Sequence, residues 1–381
     1  MKILHITNNY NNEIIKDNPI IRNIIYELKG SGLKQTVIIP LKQIKPEKKI
    51  YTFNYNDLNE IVIPIFGLPF GILIDLRLFL SAKKISNYIK FEFDLIHSHS
   101  FISDGYIGYV LSKKFQKPLI TSITSTDVYE QLSFFPHLKP LAKKIYNHSA
   151  YVVSMSSAIK DKFVKILNID NPEKINVIPN GLSKDKFENS KFTYLKSDKF
   201  KLIFIGKLIK LKNLKRTILA IKQLVKNGYN LEFKIVGDGD LKDNLQKLVK
   251  KHKLENTVKF LGKVENEKVY DLIKESNTLI MCSTKETFGM VYLEALSQYR
   301  PIIYSEGRGV DGLFENEIGI KCNPFKISSI EKAIEKMIKN YDYYLKQTIQ
   351  FNKNEYKKFT LENTAKNYFD IYKEVIKWKY S

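Results

Sequence analysis

The sequence predicts an α/β protein of two domains, each a parallel sheet wrapped by helices, on three observations. Short β-rich runs alternate with helical patterns along the whole chain, as strands joined through crossover helices do. At 381 residues the chain is long enough for two domains that each bury a core. The rhythm breaks at Asn180-Gly181, and the polar, lysine-rich stretch 183–199 that follows reads as an interdomain linker. The expected domains are 1–182 and 183–360.

In order, Lys2 to Ile6 reads as a strand, Pro19 to Leu28 as a helix, Thr36 to Ile39 and Glu60 to Pro64 as strands, and Leu73 to Ile89 as a helix. Asp94 to His99 is a buried strand ending in two histidines; a helix around Gly105 to Lys114 and a strand from Pro118 to Ile123 follow. Strand Tyr151 to Val153, helix Ser157 to Leu167 and strand Ile175 to Ile178 complete the first half. The second half restarts with strands Lys201 to Ile205, Leu231 to Val236 and Val258 to Leu261, separated by helices Leu214 to Val225 and Leu241 to Lys251. Helix Lys268 to Lys274 and strands Thr278 to Cys282 and Pro301 to Tyr304 come next. Then follow a loop with Gly307 and Gly309, helices from Ile327 onward and a last amphipathic helix, Leu361 to Trp378.

A hydrophobic content of 44% with 12% aromatics is that of a globular chain. The two cysteines, Cys282 and Cys322, lack metal-ligand spacing and read as buried thiols in a reducing compartment. The N-terminal apolar run is too short for a signal peptide, and no uncharged apolar run reaches about 18 residues, so no transmembrane helix is expected. Ile61 to Ile74 comes nearest to one; its length and its Pro and Gly argue for strand, loop and helix start, with contact to a membrane surface as the other reading. The formal charge of +22 favours an acidic partner: an anionic leaflet, a polyanionic substrate or nucleic acid. A lysine-rich compositional bias accounts for it equally, because the lysines are scattered.

The chemistry concentrates in residues 283–296. A polar turn joins the apolar strand to an amphipathic helix expected to start near Phe288, and Glu286 and Glu294 bracket that start. Were 286–294 all helical, the two would stand about 12 Å apart, wider than the roughly 5 to 9.5 Å of glycoside-hydrolysing carboxyl pairs. They suit two clamps on an elongated ligand, with helix N-terminal amides at Phe288, Gly289 and Met290 for an anion between them. Local physics also allows a solvated Glu294 and a Glu286 placed merely to favour the helix dipole. Gly206-Lys207 through Lys212-Asn213 follows a strand and leads into a helix, so its ammonium groups suit a diphosphate, or else form a solvated basic turn. Val236-Gly237-Asp238-Gly239 reads as a tight turn. His97 and His99 end a strand on the sheet's ligand-binding edge; His99 is the better catalytic candidate, against a structural role for both. The turn Thr124 to Asp127 sits at a strand's carboxyl end, where open α/β sheets place ligands.

Together these residues resemble glycosyltransferase family 4, the retaining nucleotide-sugar transferases of the GT-B fold, over nearly the whole chain. The strongest piece is Glu286-Thr287-Phe288-Gly289-Met290-Val291-Tyr292-Leu293-Glu294-Ala295, which matches the family's double-glutamate motif in order and spacing. Val177 to Gly181, Phe204 to Leu208, Val236 to Gly239, Phe260 to Val264 and Asp94 to His99 support it. The resemblance implies two Rossmann-like, doubly wound domains facing a central cleft, with the C-terminal helix 361–381 packing back on the first, acceptor-side domain. It implies that Glu286 holds donor-sugar hydroxyls and Glu294 the ribose, that Lys207 and Lys212 neutralise the diphosphate, and that Gly262 to Val264 lies near the base. Gly206 and the run Thr287, Phe288, Gly289, Met290, Val291 would line the donor, with Thr124 and Asp127 on the acceptor side. The chain departs from the family pattern where Lys207 replaces Arg, where residues 9–18 lack a usual glycine pair, where Thr124-Ser125 replaces a His-Gly pair, and where Tyr299 replaces a frequent glycine.

The expected function is retaining, metal-independent transfer of a hexose-type sugar from a nucleotide-diphosphate sugar to a glycan or lipid-linked acceptor in cell-surface polysaccharide biosynthesis. No cofactor or metal is expected, and no nucleic acid, since neither a binding motif nor an aromatic-basic platform is present. The expected location is cytoplasmic, peripheral on the anionic inner face of the cell membrane. A transferase-like subunit that binds glycan or a partner protein without catalysis is the alternative.

Overall fold

The structure, a computed structural model, describes residues 1–15, 19–67 and 74–377. Parts of three sequence expectations lie outside these residues: Leu73 at the start of one helix, Trp378 at the end of another, and residues 16–18 of the glycine-free loop. The chain divides into two compact units. The first holds Met1–Met155, Ile159–Asn180 and the stretch from Leu361 onward; the second holds Gly181–Thr360 with Ser156–Ala158.

The first unit is built on an eight-stranded sheet in the order β3-β4-β2-β1-β5-β6-β7-β8. These strands are β1 (Lys2–Ile6), β2 (Lys34–Gln43), β3 (Tyr51–Tyr55), β4 (Leu58–Phe66), β5 (Leu95–Ser98), β6 (Leu119–Ile123), β7 (Tyr151–Ser154) and β8 (Ile175–Val177). All neighbours are parallel except β3, which pairs antiparallel with β4 from Tyr51 opposite Val62 to Tyr55 opposite Leu58. The sequence reading missed this edge strand, because β3 alternates half-buried and exposed residues and carries little apolar signal. It also missed the helix Lys139–His148, which places Pro140 in its first turn and buries Ala142, Ile145 and Tyr146. Ile61–Phe66 of the most apolar stretch belongs to β4, and residues 68–73 lie outside the described residues.

The last helix, Leu361–Lys377, belongs to the first unit. Ala365, Tyr368, Ile371, Tyr372 and Val375 recur at helical spacing and pack with Ile3, Ile24, Leu28, Leu95, Ile120 and Val153. Each large apolar side chain so buried contributes roughly 1.5–3 kcal/mol before entropy.

The second unit holds a six-stranded, all-parallel sheet in the order β11-β10-β9-β12-β13-β14. Its strands are β9 (Phe200–Ile205), β10 (Leu231–Val236), β11 (Val258–Gly262), β12 (Thr278–Met281), β13 (Ile302–Ser305) and β14 (Gly319–Cys322). The chain winds outward from β9 through β10 to β11, then returns to the other side of β9 for β12, β13 and β14. The loops leaving β9 and β12 therefore diverge, opening the crevice where doubly wound sheets bind ligands. In the first unit the same switch falls between β1 and β5. Cys282 and Cys322 are free and buried, their sulfurs 3.2 Å apart. Among the described residues no helix is long and apolar enough to cross a membrane.

Candidate active site

The crevice between β9 and β12 brings together the two motifs that the sequence singled out in the second half. After β9 the chain passes Gly206 and Lys207, makes a short 3-10 turn over Lys210–Lys212, and reaches Asn213 in the left-handed region, φ +59°. Buried Asn213 donates from its side-chain amide to the carbonyls of Cys282 (3.0 Å) and Pro324 (2.7 Å). The Thr284 amide donates to the Leu211 carbonyl at 2.8 Å. These bonds fasten the basic loop to the end of β12, and the Lys212 ammonium then lies 2.6 Å from Glu286 Oε2. Their side chains are 21% and 14% exposed, so the pair is mostly withdrawn from solvent but reachable from the crevice.

The helix after this loop starts at Met290, not near Phe288 as the sequence suggested. Gly289 stands at φ +87°, outside the helix, and a Cβ there would lie 2.6 Å from the Tyr292 ring. That close approach, with the Tyr292 hydroxyl donating to the Met281 carbonyl at 2.6 Å, holds residues 286–289 as a loop. The all-helical separation of the two glutamates therefore does not apply. The amides of Phe288, Gly289 and Met290 donate to no group among the described residues, which leaves three N–H groups at the helix entrance for a ligand. Phe288 and Val291 themselves are buried and hold the loop down; Thr287 and Met290 are half-buried.

Glu294 lies in the second turn of this helix, half-buried, with no hydrogen bond or ion pair to its carboxylate among the described residues. Burial pushes its carboxyl up to about 7. The Tyr270 phenol, raised first by its own burial and then by the Glu294 charge, identifies one neighbour. A carboxylate without a partner in a poorly solvated position suits a ligand's hydroxyls.

On the other flank, three glycine turns follow β9, β10 and β11. A Cβ on Gly237, φ +130°, would meet the Gly206 carbonyl oxygen at 2.0 Å, and the Gly237 amide donates to the Gly262 carbonyl at 2.8 Å. The turn after β10 is thus a spacer that lets neighbouring loops stack. Lys207 is exposed and forms no ion pair among the described residues; Val264 is half-buried against the core. Three further residues contribute; the sequence places Ser283 in the stretch 283–296 and Gly309 in a loop but assigns no role to them or to Arg308. Ser283 Oγ lies 3.4 Å from Glu286 Oε2, Arg308 Nε donates to the Thr284 carbonyl at 2.7 Å, and Gly309 leaves only 3.1 Å between an added Cβ and Glu286 Cγ.

The remaining candidates belong to the first unit. His99 is 4% exposed; its Nε2 lies 3.1 Å from His5 Nδ1, and its Nδ1 has no partner. His5 also meets Gln35, and His97 uses both nitrogens, on Tyr372 (2.7 Å) and Ser122 (2.9 Å). Burial drives all three imidazoles toward the neutral form, His5 to about 4. One ligand atom from each lies within 4.8 Å of the others, but the hydrogen bonds to protein already engage both nitrogens of His5 and His97. Asp127 is buried and accepts from the amides of Phe101, Ile102 and Thr124 and from the Thr124 hydroxyl, at 2.7 to 3.0 Å. It organises the loop, and Thr124 is committed to it.

Two Rossmann-like units, the second carrying a cation-carboxylate pair at its switch point, define a GT-B glycosyltransferase architecture. Solved structures agree: over 98% of both chains, the fold matches sucrose-phosphate synthase from Thermosynechococcus elongatus at TM-score 0.75 and 16% identity. Anabaena HepE in complex with UDP and glucose matches at TM-score 0.69 and 18% identity, covering 98% of this chain and 100% of that one. The family model described as Glycosyltransferase Family 4 matches residues 20–186, and that of Glycosyl transferases group 1 matches residues 185–358. The chain belongs to the glycosyltransferase family 4 type of GT-B glycosyltransferases. Relatives include the alpha-monoglucosyldiacylglycerol synthase of Acholeplasma laidlawii, 27% identical over 84% of this chain and 88% of that protein. An uncharacterised glycosyltransferase of Methanocaldococcus jannaschii is 25% identical over 74% and 75%.

Proposed function

We propose that the protein transfers a sugar, with retention at its anomeric carbon, from a nucleoside-diphosphate sugar to a glycan or lipid-linked acceptor of the cell envelope. The observation that carries this reading is the Lys212–Glu286 contact at the switch point, beside three unused amides. Glu286 binds donor-sugar hydroxyls, and the Lys212 ammonium, already held in place, meets the diphosphate together with Lys207 and the amides of Phe288, Gly289 and Met290. Glu294 takes the ribose hydroxyls. These fixed groups stabilise the charge that grows on the leaving diphosphate, so no metal is needed for that task.

The acceptor is proposed to be membrane-borne and the protein peripheral on the cytoplasmic face. Leu76, Phe79 and Leu80, 47%, 52% and 41% exposed, form a stripe at helical spacing on Ile74–Tyr88, with Lys83 exposed one turn on. The charge of +22 favours an anionic leaflet, and the name of the Acholeplasma relative refers to a glucosylated diacylglycerol.

The test is a thermal-shift and calorimetric panel of UDP, GDP, ADP, CMP and their sugar conjugates, with and without Mg²⁺. Saturable, metal-independent stabilisation by one nucleotide, weakened in Glu294→Ala, is expected. No response to any of them would overturn the donor site. A Glu286→Ala variant that still transfers sugar would remove that residue's role.

A further inference from the structure

A second polar cluster sits in the first unit, at the carboxyl edge of four consecutive strands. Lys42 is near the end of β2, and Arg77 lies in the first turn of the helix that follows β4. Asn8 follows β1, and Ser100 and Asp104 follow β5. The Asn8 amide donates to Asp104 Oδ2 at 3.4 Å, and the Asp104 amide donates to Ser100 Oγ at 3.0 Å. Asp104 is 1% exposed, and its Oδ1 has no hydrogen-bond partner.

Arg77 is 8% exposed, yet its guanidinium makes no hydrogen bond and no ion pair within 4.0 Å among the described residues. A guanidinium has five donors and a permanent charge, and here none of the donors is taken by a protein group among the described residues. Among the described residues its neighbour of opposite charge is Asp104, a weak counter-ion because burial raises that carboxyl to about 7. Lys42 is exposed by area and likewise unpaired. Even so, its ammonium is held below the ordinary lysine range, first by desolvation and then by the Arg77 charge. The sheet order β4-β2-β1-β5, with Lys42 opposite Ile65 of β4, sets the loops bearing these two cations and the acid at one edge, and their charges act on one another there. The planar fork of an arginine takes two oxygens of an oxyanion, and a lysine a third, which suits a phosphoryl group better than a carboxylate.

We propose that Arg77 and Lys42 form an anion site in the first unit that holds a phosphoryl group of the acceptor. The word acceptor rests on the transferase reading above; the anion site does not. The phosphate belongs either to a lipid headgroup or to a soluble phosphorylated molecule.

The test uses the full chain with two probes, sn-glycerol 3-phosphate in solution and phosphatidylcholine vesicles containing phosphatidic acid. Glycerol phosphate is expected to raise the melting temperature saturably in the wild type and in Lys212→Ala. Arg77→Gln and Lys42→Gln are each expected to weaken binding roughly ten- to hundredfold. A response to the vesicles alone, lost in Arg77→Gln, supports the site and assigns the phosphate to a lipid headgroup. Binding unchanged in both variants, binding lost only in Lys212→Ala, or no response to either probe overturns the proposal. Arg77→Gln removes an unpaired charge, so its ligand-free melting temperature is expected to hold or rise; Lys42→Gln, at an exposed position, gives a second folded variant. UDP binding is measured alongside: its absence from a wild type that binds glycerol phosphate removes the donor reading and leaves this site standing.

Discussion

Replacing Lys212 by alanine leaves the Glu286 carboxylate, 14% exposed, without the ammonium now 2.6 Å away. Removing one partner of a buried pair costs about 3–5 kcal/mol, and the residual solvent access here lowers that to about 2 kcal/mol. For a unit of this size the corresponding fall in melting temperature is roughly 4–8 °C. Glu286→Gln removes the complementary charge and is expected to cost a similar amount. The double variant Lys212→Ala/Glu286→Gln leaves no orphaned charge and should return to within about 1 kcal/mol of wild type. Turnover behaves differently. Loss of a fixed charge at the diphosphate costs about 10²–10³-fold in kcat, and the double variant does not regain it. Urea unfolding with sugar-transfer kinetics on all four proteins completes the cycle. Single variants within about 0.5 kcal/mol of wild type would show the pair to be a solvated contact. A double variant with normal turnover would show it to be structural only.

Three further predictions follow from the site and its surroundings. Gly237→Ala, whose Cβ would stand 2.0 Å from the Gly206 carbonyl oxygen, should destabilise by roughly 3 kcal/mol or more and abolish nucleotide binding. Gly262→Ala, with open space but φ +71°, should cost about 1 kcal/mol; calorimetric melting distinguishes the two, and equal effects would refute the stacked-loop reading. Glu294, raised from 4.5 to about 7, holds its proton more tightly when folded, so its ionisation destabilises progressively as pH rises through that window and fully above it. Glu294→Gln should therefore gain about 1–2 kcal/mol at pH 8, nothing near pH 4, and lose nucleotide affinity. His5, His97 and His99, all lowered, stabilise the fold above pH 6.5, and that stability is lost as pH falls through their depressed folded values. Unfolding free energies from denaturant titrations between pH 6.5 and 4 should fall at up to about 4 kcal/mol per pH unit; a pH-independent unfolding free energy would contradict their burial as neutral groups.

The sequence was informative where its signal is local. The alternation of strand and helix, the loop of Gly206 to Asn213 and the run Glu286 to Glu294 were all readable, because hydrophobic period and short motifs depend on neighbours along the chain. The edge strand β3 was not, since a half-exposed hairpin arm alternates too weakly. Nor was the helix start at Met290, which depends on a tyrosine ring against a glycine.

The sequence by itself therefore determined two doubly wound α/β units, the family and the stretch bearing the glutamates. Only the tertiary structure decided which charges meet. Lys212 and Glu286 are 74 residues apart and become partners because β9 and β12 are neighbours whose loops diverge at the switch point. The same order of strands seals His97 and His99 into a hydrogen-bonded core with Tyr372, 275 residues beyond His97. It also leaves Arg77 nearly buried with no ion pair among the described residues. Charge and residue type are properties of the chain, but desolvation and pairing arise only when the sheet order sets one loop beside another.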